Sequence, residues 1–182
     1  MSMMMKIDDL KNFSWIEYSL TDSLEYDYLY GSIEILCCLE EKDELIEINV
    51  GSSQVFLLQI EDWDSMYNIA DSISGDVLYV METLGQAIDN DDIYGKLLII
   101  DEMFLKDSFE SFEVRIMFLE KIIKKVSLLG VECVAFMNEA ICKNQSEDVK
   151  ASYLNEYLSL GFKPLVNKDY QHICLFKDLT YY

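Results

Sequence analysis

Basic residues are scarce in this 182-residue chain: 14 lysines and arginines stand against 34 aspartates and glutamates, for a formal charge of −20 and a single arginine, Arg115. A nucleic-acid backbone calls for a basic stripe and favours arginine forks, so direct DNA or RNA binding is disfavoured, as is an anionic membrane surface. There is one histidine, His172, and the five cysteines (Cys37, Cys38, Cys133, Cys142, Cys174) form no CxxC pair, so neither a zinc site nor a disulfide framework is expected. The cysteines sit in or beside apolar stretches and read as small hydrophobes; Cys37 and Cys38 would point to opposite faces of a strand. No spacing suggests a Ser-His-Asp or Cys-His arrangement. Proline occurs once, at Pro164, and without repeats or low-complexity segments the chain reads as a single domain over residues 1–182. No apolar run approaches the roughly 18 residues of a membrane span, and the Met-rich start lacks the apolar core of a signal peptide. The expectation is a cytoplasmic protein.

What is present is apolar mass and unevenly placed acid. Hydrophobic residues make up 51% of the chain, enough for a sizeable core. Residues 1–95 carry 21 acids against 3 lysines, a net of −18, while the remainder is nearly balanced. Such asymmetry marks either an interaction surface or a solubilising face.

The first sixty residues predict an antiparallel meander with strands at 12–20, 32–40, 45–50 and 55–60, a turn at Glu41 to Glu44, and a break at Gly51-Ser52-Ser53. Helical spacing follows from Asp64, is interrupted at Gly75 and ends near Gly85. Leu97 to Ile100 is apolar at every position, as in a strand buried on both faces. A helix from Ser111 to Leu129, a strand at Val131 to Met137, a helix from Glu147 to Leu160, and strands at Phe162 to Val166 and His172 to Phe176 complete the expected order. The Leu97 strand should lie centrally and run parallel to the Val131 strand, joined through the intervening helix.

That order, with Tyr157-Leu158-Ser159-Leu160-Gly161-Phe162 near its end, resembles the GNAT acyltransferases, whose last helix closes on a Tyr-x-x-Leu-Gly-Phe segment. The resemblance implies an α/β (α+β) fold with a mixed, mostly antiparallel twisted sheet flanked by helices. It also implies a loop of the form Arg/Gln-x-x-Gly-x-Gly/Ala that holds the acetyl-CoA pyrophosphate at a helix start. Here the corresponding residues are Glu110, Ser111, Phe112, Glu113, Val114 and Arg115. Glu113 replaces a glycine and Glu110 the basic residue. Each carboxylate would repel a diphosphate by roughly 1 to 4 kcal/mol, so this is a degenerate loop and no cofactor is expected.

Two functions follow. One is a GNAT-like protein without cofactor chemistry that binds a basic protein partner through its acidic half, as an inhibitor, a DNA mimic or a regulatory subunit. Its candidate contacts are Glu40, Glu41, Asp43 and Glu44 in the hairpin turn, with Glu61, Asp62 and Asp64 before the first long helix. The alternative is an acetyl-CoA-dependent N-acyltransferase acting on a cationic amine. In that case the resemblance implies that Tyr157 protonates the departing thiolate, and Glu102, just after the central strand, is the candidate general base for the amine. His172 reads as structural.

Overall fold

The computed structural model describes residues 7–23, 28–41, 44–88, 93, 95–138, 146–168 and 172–180. In order these form α1 (Ile7–Phe13), β1 (Ser14–Asp22), β2 (Tyr28–Glu41), β3 (Glu44–Ile60), α2 (Trp63–Ile73), α3 (Gly75–Ala87), β4 (Gly95–Leu105), a 3-10 turn at Asp107–Phe109, α4 (Phe112–Ser127), β5 (Cys133–Met137), α5 (Glu147–Ser159), β6 (Lys163–Val166) and β7 (Ile173–Asp178). The strands form one sheet of order β1-β2-β3-β4-β5-β7-β6. All neighbours are antiparallel except β4 and β5, which run parallel as expected. The fold is therefore mixed α/β, with a mostly antiparallel sheet and β4 at its centre.

The apolar run in β4 is explained by burial on both faces. Leu98 and Ile100 enter a core roofed by α1, α4 and α5, together with Ile33, Val55, Phe118, Phe136 and Tyr157. Leu97 and Ile99 enter a second core beneath α2 and α3, with Phe56, Leu58, Met81 and Leu84. β5 behaves alike, with all five residues buried. The helices begin where polar side chains satisfy free amides: Asp62 accepts from the Ser65 amide at 3.0 Å, Ser74 from Val77 at 3.1 Å, and Ser111 from Val114 at 3.3 Å.

Several expectations need correction. Gly51-Ser52-Ser53 does not break a strand but lies within β3, because the backbone there is paired on both sides, to Ile35, Glu34 and Ile33 and to Leu105, Phe104 and Met103. The small residues allow close approach: a Cβ on Gly51 would collide with the Phe104 carbonyl. The helix break falls at Ser74, an extended residue that ends α2 and caps α3, and α3 continues through Gly85 to Ala87. Residues 7–13, unassigned by pattern, form α1. His172 precedes β7 and is exposed; its carbonyl accepts the Tyr79 hydroxyl at 2.6 Å. Cys37, Cys133 and Cys174 are buried and Cys38 is half-buried, as their apolar settings suggested; Cys142 lies outside the described residues.

Three outcomes follow. Gly51→Ala should lower stability by about 1–3 kcal/mol in urea unfolding, since the new methyl group must displace backbone in a paired strand. Burial, with the Asp178 and Glu132 charges beside it, raises Cys133 from 9.0 to about 12, and burial does the same for Cys174. Both thiols then keep their protons longer in the folded chain than in the unfolded one. The linked stability is complete below pH 9 and is lost as pH climbs toward 12, so the urea midpoint should fall above pH 9. At pH 8 iodoacetamide should modify Cys38 well before Cys133 or Cys174.

Candidate functional site

Two places merit chemical scrutiny, and both arise from the end of β4. Its ladder with β5 spans only Leu97↔Cys133 to Ile99↔Ala135, after which the sheet opens between Ile100–Leu105 and the end of β5. Asp101 is an extra residue there, since Ile100 pairs with Val55 and Glu102 with Gln54.

At the opening stands the start of α4. Arg115, 7% exposed, sends Nε and Nη2 to Glu110 Oε1 at 2.9 and 2.6 Å, and Nη1 to the Met103 carbonyl at 3.1 Å. The guanidinium thus straps α4 to β4 beyond the point where β5 has left. Glu110, expected to repel a diphosphate, instead supplies an anion to the arginine from within the chain. Ser111 caps the helix, Val114 is buried, and Glu113 is exposed. Phe112 stacks flat on Tyr153, ring centroids 3.6 Å and planes 2° apart.

Tyr157 is fully buried, with edge contacts to Phe112 at 6.2 Å and Phe136 at 5.6 Å. Its carbonyl accepts from Phe162 N, and Leu158 O accepts from Gly161 N at a glycine φ of 84°: the paired bonds of a Schellman helix ending. The Tyr-x-x-Leu-Gly-Phe segment is accounted for by this cap and by the aromatic core it closes. Glu102 lies inside β4 rather than after it, half-buried, on the other face of the sheet.

That other face is the second place. Cross-strand register aligns Glu17–Glu34–Ser52–Phe104 and Ser19–Ser32–Gln54–Glu102 in rows running from β1 to β4. The next row, Thr21–Tyr30–Phe56–Ile99, passes under α2 and α3 at its β3 and β4 end. The first two rows lie outside the core beneath α2 and α3, and their Ser19, Ser32, Ser52, Gln54 and Phe104 line a shallow concavity of about 370 Å³, with the carboxylates outside its lining. Tyr30 and Phe104 are 43% and 51% exposed there. The two rows contain three carboxylates and no basic residue. Glu17 and Glu34 face each other directly, an arrangement that costs a sheet about 0.2–1 kcal/mol. Each has a neighbouring donor: Asn49 Nδ2 to Glu34 at 2.7 Å, and Trp15 Nε1 to Glu17 at 3.2 Å. Carboxylates beside exposed aromatic rings suit a cationic group, through charge-assisted hydrogen bonds and cation–π contact.

The acidic residues singled out by sequence are not brought together. Glu44 is exposed at the start of β3, and Glu61, Asp62 and Asp64 are exposed past its end, separated by roughly 50 Å of strand. Glu40 and Glu41 lie in β2 at the same hairpin end as Glu44, and Asp43 lies outside the described residues. Asp62 is engaged in capping α2, and the Ser65 hydroxyl and amide hold its carboxyl below the usual range. Glu17, Glu34 and Glu102 were overlooked as a group. Their signal was polar alternation at Glu17-Ser19-Thr21, Ser32-Glu34 and Ser52-Gln54, which marks a strand face left uncovered.

Glu110→Ala should cost about 1–3 kcal/mol in urea unfolding, since it leaves a buried guanidinium without its carboxylate. Arg115→Leu should reduce that cost in a double-mutant cycle, because the pair is then removed together. Compared with protein-family models and with curated protein sequences, the chain matches none.

Proposed function

We propose that the protein acts by binding a basic protein partner in the cytoplasm, on a GNAT-like scaffold that has lost cofactor chemistry. The scaffold reading draws on the parallel β4–β5 step in an otherwise antiparallel sheet and on the Leu160-Gly161-Phe162 helix ending. The observation that carries the binding reading is the open acidic face. It sets Glu17, Glu34 and Glu102 among exposed aromatic rings, and like charges stay opposed there at a cost to the sheet. The loss of cofactor chemistry is supported at the start of α4, where Glu110 takes up Arg115 and Phe112 stacks on Tyr153. A diphosphate would have to displace the carboxylate and approach Glu113 as well.

Acyl transfer to a cationic amine is the second reading, favoured by the position of Glu102, which borders the opening between β4 and β5 and faces the surface suited to such an amine. The full burial of Tyr157 speaks against it.

Calorimetry with about 1 mM acetyl-CoA should give no heat; saturable binding below about 100 µM would overturn the binding reading. Under acyl transfer, Tyr157→Phe should lower turnover with cofactor affinity unchanged. Partner capture from the native host should weaken as salt rises from about 0.05 to 0.5 M, as the screening length shrinks to a few ångströms. Glu17→Lys is the sharpest variant: it relieves the clash with Glu34, so the melting temperature should hold or rise while capture falls. Equal capture by wild type and Glu17→Lys at both salt concentrations would reduce the face to a solubilising surface.

A further inference from the structure

Four lysines of this acidic chain come together on one surface. Lys11 of α1, Lys121 and Lys124 of α4, and Lys177 of β7 border one groove of about 420 Å³. Glu120 is the carboxylate on the same rim, and buried Met117 and half-buried Leu160 give the groove an apolar component. Two of the ammonium groups are anchored. Lys121 donates to the carbonyls of Lys11 at 3.2 Å and Ser14 at 2.9 Å, and Lys177 donates to the Leu160 carbonyl. Burial holds both below the ordinary lysine range, helped at Lys121 by the charge of Lys124. Charges held together at this desolvation cost are best relieved by an anion.

The same chain carries a segment of matching chemistry. β1 pairs with β2 no further than Ser14↔Cys37, and β4 with β3 no further than Gly51↔Leu105, yet the β2–β3 ladder continues to Glu41↔Glu44. The hairpin therefore projects as a two-stranded arm beyond the four-stranded sheet, a form only marginally stable in water by itself. Leu45 is 77% and Ile46 39% exposed on it, between exposed Glu44 and Glu47. The arm starts beside the groove, for Ser14 pairs at its base and also accepts Lys121. We propose that the β2–β3 arm of one copy docks in the lysine groove of a second copy, reciprocally about a two-fold axis, with Leu45 against the apolar component, and Glu47 on the same strand face and Glu44 at the tip against the lysines. A two-fold pair seats both arms at once because arm and groove lie at the same end of the molecule. The proposal goes beyond the binding reading, which uses the open sheet face, and gives the hairpin a partner of its own.

A charge swap tests it on the full chain. Glu44→Lys/Glu47→Lys reverses the arm, and Lys11→Glu/Lys124→Glu reverses the groove; all four residues are exposed, so melting temperatures should stay within a degree or two. By light scattering at about 100 µM and about 0.05 M salt, wild type should run at twice the 21.2 kDa chain mass, and each double variant alone at the single-chain mass. An equimolar mixture of the two variants should recover the doubled mass, because both exchanged contacts are then between opposite charges. A wild type at single mass, doubled mass in either variant alone, or a mixture that stays at single mass would overturn the proposal. Loss of a basic host partner by the arm variant, with wild type at single mass, would overturn the self-association and leave the binding function standing. A doubled mass that the arm variant leaves unchanged would overturn the self-association alone, because the binding function is tested separately by Glu17→Lys.

Discussion

Burial of β4 on both faces is the constraint from which the rest of the architecture follows. A strand that places Leu97 and Ile99 on one side and Leu98 and Ile100 on the other needs helices on both faces and paired strands on both edges. β3 and β5 provide the edges, α4 supplies the crossover between the parallel neighbours, and the two cores lie above and below. The requirement ends at the Asp101 bulge. Beyond it β4 keeps β3 but loses β5, and α2 and α3 no longer cover its outer face. The opening beside α4 and the uncovered acidic face are therefore two consequences of one change in β4.

The opening is closed by the chain's own groups. A parallel pair that separates leaves backbone carbonyls without a strand partner, and one of them, on Met103, is taken by Arg115. Burying a guanidinium in such a place is tolerable only with a carboxylate nearby, which gives Glu110 a structural role. Aromatic packing of Phe112, Tyr153, Tyr157 and Phe136 fills the adjoining core at the start of α4. The composition of the segment, poor for phosphate, suits this internal bond.

Charge is sorted by surface. The open sheet face and the hairpin arm are acidic, whereas the helical side bearing α1 and α4 gathers lysines. Separation of this kind lets a molecule of large net charge present a local field of either sign on different surfaces. Both surfaces pair charge with exposed apolar groups, Tyr30 and Phe104 on one and Leu45 and Ile46 on the arm.

What the amino-acid sequence determined by itself was short-range. Continuous apolar character made Leu97 to Ile100 central; serine and aspartate placed the helix starts; Gly161 placed the end of α5. Each depends on a residue and neighbours within a turn or two, where propensity and capping act directly. The joining of two expected strands into β3 was not readable, because Gly51-Ser52-Ser53 serves a turn and a close strand approach equally well. Nor was the acidic face. Glu17, Glu34 and Glu102 are brought together by register, and register is set by bulges at Val50 and Asp101 and by pairing across three strands. The tertiary structure alone decided which carboxylates share a surface, that Glu110 meets Arg115, and that the lysines of α1, α4 and β7 border one groove, since these are distances between segments that no local pattern encodes.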